Sequence, residues 1–395
     1  MYSKFFTLIV AAVLQLQVYC QVVVTTIAGP NSSIDDALAM DQFGTLYGSH
    51  FGNPSSGAGT VYKIEPNGNI SEFSTGYSAC NGLAFGHDGQ LYVVDFAVNV
   101  ANSQIYKLDS LGNKSIYGPK IPGASGIIFD PMSDTLFVSQ YTSSQGNQIS
   151  KLSSDGNVSL YCGASELNGP VGMAFDNDHN LYVANFNNGK IFKVLLNGDS
   201  LAFIAEVPHT TNWGVGFMTF ASGYLYATGI GVHKIFRISL EGEVIAIAGT
   251  GTPATTDGAG DVAQFNRPNG IITNAEQDKL YVSDYATKSV REITGILDIT
   301  SIGNLESNDN IKQLNCFPNP CDTYTTISYK LDADCNTDLQ VFTSNGKPIQ
   351  ILVSSKEKCG VQKHAFYTGE LASGIYIGKL NCNGISQSIK ILVSH

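Results

Sequence analysis

Charge is scarce in this sequence. Of 395 residues only 22 are Lys or Arg and 33 are Asp or Glu, 14% in all, against about a quarter in an ordinary globular protein. The few basic residues and the net charge of −11 exclude a general nucleic-acid partner, because neutralising phosphates takes clustered Lys and Arg. Coiled coils and helix bundles need Glu, Lys, Ala and Leu at helical spacing, and that pattern is missing. Beyond the N-terminus no apolar run approaches the roughly 20 residues of a membrane-spanning helix. There is no Gly-x-Ser-x-Gly elbow, no His-Glu-x-x-His and no phosphate loop, and no cysteine pair has the spacing of a zinc site. There is one tryptophan, Trp213. Disorder is excluded by the 43% of apolar residues. What the chain does have is 41 Gly, 19 Tyr and 20 Phe. That composition reads as all-β with many turns, and the length suggests two or three domains.

Residues 1–20 carry Lys4, then the apolar run Phe5 to Leu14. These are the n-region and h-region of a secretory signal, too short to span a bilayer. Val18 and Cys20 suit cleavage before Gln21; lipidation of Cys20 is the alternative, opposed by the bulk of Tyr19. The mature chain is therefore expected outside the cytoplasm, with no transmembrane segment. Seven cysteines remain. Cys80 and Cys162 lie far apart, while Cys316, Cys321, Cys335, Cys359 and Cys382 crowd the end. Export permits disulfides there, and an odd count leaves at least one thiol without a partner in the chain.

The middle is a repeat. A Leu-aromatic pair recurs at Leu46-Tyr47, Leu91-Tyr92, Leu136-Phe137, Leu181-Tyr182, Leu225-Tyr226 and Leu280-Tyr281, at intervals of 45, 45, 45, 44 and 55. About ten residues before each pair comes a small apolar strand, such as Gly82-Leu-Ala-Phe or Gly270-Ile-Ile-Thr. After it comes an alternating strand, such as Ile105-Tyr-Lys-Leu. A Gly-containing turn follows in five units, and Asn67-Gly68, Asp155-Gly156 and Asn197-Gly198 suit hairpin geometry best. Four short strands per period of about 45 residues is the signature of a β-propeller, and six units predict six blades. Val22 to Gly29 resembles the outer strand Val244 to Gly249, so the N-terminal strand is expected to complete the last blade; Ile296 to Ile302 is the rival closing strand.

On these residues the units resemble NHL repeats. The stretch from Gly249-Thr-Gly-Thr-Pro through Asp257-Gly-Ala-Gly-Asp to Phe265-Asn-Arg-Pro-Asn-Gly matches that family's long inter-blade loop. The same six-bladed shape is shared with gluconolactonase and regucalcin-type lactonases. A second resemblance covers the end of the chain. Cys316-Phe-Pro-Asn-Pro-Cys, strands at Thr326 to Leu331 and Leu339 to Thr343, Asn345-Gly346, Leu371-Ala-Ser-Gly-Ile-Tyr and the last strand Ser388 to Val393 together resemble the C-terminal sorting domain of the type IX secretion system. That family crosses the outer membrane of Bacteroidetes-type bacteria. The expected organisation is a signal peptide at 1–20, a six-bladed propeller at 21–303, a linker at 304–312 and a small Ig-like β-sandwich at 313–395. The type IX machinery is the implied partner of residues 313–395, and the implied address is the medium or the outer-membrane surface.

Propellers bind where the residues preceding each first strand converge. That ring reads Asp36, Asn81, Ser125, Val171, Val215 and Asn269. In the lactonases a divalent metal sits there, so the resemblance implies Asp36, Asn81 and Asn269 as ligands for Ca2+ or another divalent cation. One acid and two amides make a weak hard-cation site, and the asparagines equally suit strand-start capping. Asp95, Asn185 and Asp284 end second strands, where they could face the mouth or bond turns. Asn212 and Trp213 enter the fifth blade, and Trp213 either offers a stacking surface for a sugar or peptide or simply plugs the channel. The primary expectation is a non-catalytic extracellular binding module for a protein, peptide or glycan through Asp36, Asn81, Asn212, Trp213 and Asn269. The alternative is a divalent-metal lactone hydrolase.

Overall fold

A computed structural model describes residues 22–298 and 311–395, except 31, 53, 54, 56, 98, 142–146, 196, 197, 332, 344–346, 383 and 384. The expected leader, linker residues 304–310 and the Asn345-Gly346 turn lie outside the described residues. The chain divides between residues 301 and 302 into two compact units. Strands dominate both, and helix is limited among the described residues to single 3-10 turns such as Val100–Asn102.

The first unit contains six antiparallel sheets, five of four strands and one of five. The first sheet is Leu38–Met40, Leu46–His50, Gly59–Ile64 and Ile70–Tyr77; the next four begin at Cys80, Ala124, Pro170 and Val215. The sixth joins Pro268–Thr273, Leu280–Asp284 and Ser289–Thr294 to the N-terminal strand Val23–Ala28, with Gly258–Ala259 outermost. The innermost strands of successive sheets touch in a closed cycle, the sixth returning to the first.

The Leu-aromatic pair explains how the sheets stack. Adjacent strand residues point to opposite faces. Leu91 therefore enters the core shared with the first sheet, and Tyr92 the core shared with the third. The same division places Leu136 and Phe137, Leu181 and Tyr182, and Leu225 and Tyr226 in successive inter-sheet cores. Two adjacent residues thus fasten each sheet to both neighbours.

At the centre the contact is polar and close. A Cβ added at Gly82, Gly126 or Gly270 would stand 2.3, 2.1 or 2.2 Å from the carbonyl oxygen of Ser125, Val171 or Asp36 in the next sheet. Beside these approaches a second-strand hydroxyl donates across the gap: Ser49 to Asn81 O at 3.0 Å, Ser139 to Val171 O at 3.0 Å, Thr228 to Asn269 O at 2.8 Å and Ser283 to Asp36 O at 2.5 Å. The second and fourth sheets carry Val94 and Ala184 at that position.

The ring closes as the N-terminal strand suggested. Val24 pairs with Ile293 and Thr26 with Arg291, antiparallel. The rival segment starts with a 3-10 turn, Ile296–Asp298, and its remaining residues lie outside those described. A latch holds the seam. Thr26 donates to Asp257 through its N–H (2.9 Å) and its hydroxyl (2.8 Å), and the fully buried Arg291 donates to the same carboxylate at 2.7 Å. Arg291 also donates to Gln264 O and Thr256 O and lies over the Phe265 ring.

The second unit has a three-stranded sheet (Ile311–Phe317, Tyr324–Leu331, Gly360–Tyr367) and a four-stranded one (Pro348–Glu357, Cys335–Thr343, Gly374–Cys382, Ile385–Val393). They share one core, with Ile327, Tyr329 and Phe366 from one sheet and Leu339, Leu380 and Ile391 from the other. One expectation is corrected here: Ile311 and Lys312 belong to a strand, not a linker. Cys335, which begins a strand, is bonded to Cys382 across 47 residues. Cys80 and Cys162 are buried free thiols.

The central approach sets a test. Gly126→Ala should cost about 1–3 kcal/mol, as overpacking against rigid backbone does. Gly29→Ala, with nothing within 4 Å of the added carbon, should leave stability unchanged. Thermal denaturation of the two variants compares them, and equal melting temperatures would remove the close approach as the organising contact.

Candidate functional site

The six inner strands leave a cavity of about 210 Å³ at one end of the channel. Two sets of residues line it. The inner set comes from the starts of the first strands: Asp36, Asn81, Ser125, Val171, Phe217 and Asn269. The outer set follows the ends of the second strands: Phe51, Phe96, Tyr141, Phe186, Ile230 and Tyr285. Trp213, from the loop entering the fifth sheet, completes the lining.

Five of the six expected ring residues are present, and the fifth sheet departs. Val215 pairs with Gly229 as Cys80 pairs with Asp95, so the residue equivalent to Asn81 is Gly216, one position later than the sequence suggested. Val215 is wholly buried and does not line the cavity. Phe217 stands where the second, third, fourth and sixth sheets have glycine. Its ring packs against the core of the first and second sheets as well as that of the fifth and sixth, so it reaches across the channel.

The outer aromatic set was missed in the sequence, although it repeats at the intervals of the Leu-aromatic pair. Each member is anchored through its backbone N–H to the loop entering its own sheet: Phe96 to Ala79 O, Tyr141 to Gly123 O, Phe186 to Gly169 O and Tyr285 to Arg267 O, all at 2.8–2.9 Å. In the first sheet Asp35 supplies the acceptor, taking the Phe51 N–H at 2.8 Å and meeting His50 Nδ1 at 2.8 Å. The residue before each aromatic braces the same loop. Asp95 accepts from the Ser78 and Ala79 N–H groups, Asn185 from that of Asn168, and Asp284 from that of Asn266. These three acids and amides therefore bond turns. Burial pushes Asp284 up to about 6 against the pull of those bonds.

The fifth sheet has Gly229-Ile230 at these positions, and Trp213 supplies the ring instead. Its indole lies 5.6 Å from Phe186, which lies 5.5 Å from Tyr141. The Arg267 guanidinium sits 4.8 Å over the indole and does not line the cavity. Asn212 is an exposed left-handed turn residue outside the lining.

The polar lining is small and already paired. Asn269 Nδ2 donates to Asp36 Oδ1 at 2.9 Å, and Asn81 Nδ2 donates to Ser125 Oγ at 3.1 Å. Burial, and next the charge of Asp35, push the Asp36 carboxyl well above the ordinary range. Burial likewise raises the Tyr141 and Tyr285 hydroxyls. The three residues implied as metal ligands do line one cavity, but their donor set does not suit a divalent cation. Both asparagines turn N–H groups toward their neighbours, and a hard cation takes six or more oxygens. Among the described residues no three His, Cys, Asp or Glu side chains are grouped to hold a metal.

Comparison with known proteins bears on both units. Residues 315–394 match the family described as secretion system C-terminal sorting domain. The chain carries a type IX sorting domain. That sorting domain indicates export, to the cell surface or the medium. Residues 126–292 match a repeat of unknown function (DUF6923). No curated protein matches the chain in sequence. Solved structures resemble the propeller-like part. An auxiliary nutrient binding protein from Bacteroides ovatus ATCC 8483 aligns with a TM-score of 0.58 and 16% identity, over 69% of this chain and 76% of its own. One from Bacteroides thetaiotaomicron VPI-5482 gives 0.57 and 15%, over 69% and 76%. A gluconolactonase from Xanthomonas campestris gives 0.53 and 14%, over 69% and 89%. At these identities the likeness shows the fold alone. No helix among the described residues is long and apolar enough to cross a membrane.

The aromatic contacts set a spectroscopic test. With one tryptophan in the chain, emission reports the cavity directly. Phe186→Ala should move Trp213 emission to longer wavelength as water reaches the indole; an unchanged spectrum would mean that the rings do not pack.

Proposed function

We propose that this protein is an exported binding module: a six-bladed β-propeller that holds a ligand in its aromatic mouth, delivered by a C-terminal Ig-like sandwich. The observation that carries the reading is the braced aromatic set. Rings fixed through their own backbone N–H groups and through side chains that brace the loops form a site built before any ligand arrives, which saves the ordering cost of binding. The cavity offers little chemistry to accompany binding. Among the described lining residues its ionisable groups are one buried carboxyl and two raised phenols, and Ser125 is bonded to an asparagine, with no histidine in the lining. The lactonase alternative asks for a cation that the donor set does not suit. The proposed organisation is a leader at 1–20, the propeller at 21–303, and the sorting domain from residue 311.

Two measurements test this. Deleting residues 311–395 should leave the protein in the periplasm, read by cell fractionation, and normal export of the truncated chain would refute the delivery role. Adding Ca2+ or Zn2+ to the full chain should leave its melting temperature unchanged. Metal-dependent lactone turnover that Asn81→Ala abolishes would replace the binding module by the hydrolase.

A further inference from the structure

The cavity's charge and its ring faces go further than the word "binding". An aromatic face carries partial negative charge and attracts a cation within about 6 Å, most strongly where water is excluded. Here Phe51, Phe96, Tyr141, Phe186 and Tyr285 each bring a ring from one sheet to the same small cavity, and the fifth sheet contributes Phe217 and Trp213. Among the described residues that line the cavity, the side chain of formal charge is an acid, Asp36, and none is Lys or Arg. The nearby Arg267 guanidinium is stacked against Trp213 and does not belong to the lining. An anion would meet aromatic rings and a carboxyl, with no donor of opposite charge among the described lining residues. A sugar satisfies its hydroxyls with many polar partners, whereas Asn269 and Asn81 spend Nδ2 on Asp36 and Ser125. An alkylated ammonium makes the opposite demand. Its methyl groups need no hydrogen bonds, and its charge is spread over a surface that ring faces can cover.

We infer that the mouth is an aromatic cage for a small quaternary ammonium compound, with Asp36 as its counter-charge. This deepens the binding-module reading and rests on it. The Asp36 carboxyl, which burial and the charge of Asp35 push well above the ordinary range, lines the same cavity, and a cation beside it would favour its charged form.

The test titrates the full-length chain with choline chloride, read by Trp213 emission and by calorimetry. Parallel titrations use 3,3-dimethylbutan-1-ol, which has the same shape without the charge, and glucose. Choline should bind about tenfold or more tighter than the neutral alcohol. Phe96→Leu, which keeps apolar bulk but removes the ring face, and Asp36→Asn, which keeps shape and removes charge, should each weaken choline by about tenfold and leave the alcohol unaffected. Any loss of folding would weaken both probes together and so stands apart. Equal binding of alcohol and choline, or binding of glucose alone, would overturn the cation cage and leave the binding module standing. No response to any of the three probes would overturn the cage as well. The binding module falls only if, in addition, a broad ligand screen on the full chain finds nothing that perturbs Trp213.

Discussion

The approach of one inner strand to the next governs this ring. At Gly82, Gly126 and Gly270 the neighbouring carbonyl oxygen occupies the space that any side chain would need. A hydroxyl from the second strand then bridges the gap in four of the six junctions. Each such bond is worth about 1 kcal/mol net, but its geometric effect is larger. At those four junctions it ties one inner strand to the next. The cycle of six sheets closes when the last sheet finds its outer strand, and Val23–Ala28 provides it under the Thr26–Asp257–Arg291 latch. The narrow channel and the small cavity above it follow from that packing.

The fifth sheet breaks the pattern, and it does so at every position that faces the mouth. Glycine moves one residue earlier to Gly216, and Phe217 enters the channel. The bracing acid or amide becomes Gly229, the outer aromatic becomes Ile230, and the missing ring comes from Trp213. A departure confined to packing would be expected to show in the buried faces. Leu225 and Tyr226 keep their ordinary places in the flanking cores instead. Local rules that fail only at the surface of a cavity are the usual mark of a functional site.

How much was legible follows from what each residue touches. The Leu-aromatic pair was visible because both residues meet the same kind of core at every junction, so one dipeptide serves six times. Closure was visible because Val22 to Gly29 repeats an outer strand. The outer aromatics carry the same period but sit one residue past the strand, beside acids and amides that bond turns. The shift in the fifth sheet was hidden, since Gly216 imitates the glycine of the other units and only the pairing of Val215 with Gly229 reveals the offset. In the second unit the strand Pro348–Glu357 is exposed or half-exposed along its length and shows no buried alternation. The Cys335–Cys382 bond was not legible, because spacing alone never fixes pairing.

The scarcity of charge has a cause at the mouth as well as in the cores. Between sheets, apolar and aromatic faces leave little room for ions, and Arg291 is tolerated there because carbonyls, a carboxylate and a ring surround it. At the cavity the same economy leaves one acid among ring faces. Polar atoms that already satisfy each other give up bonds when a polar ligand displaces them, so hydrogen bonding to such a ligand yields little net gain. Ring faces lose only poorly bonded water when something apolar covers them. Selectivity in such a cavity is therefore set by shape and by the sign of charge, more than by a pattern of donors and acceptors.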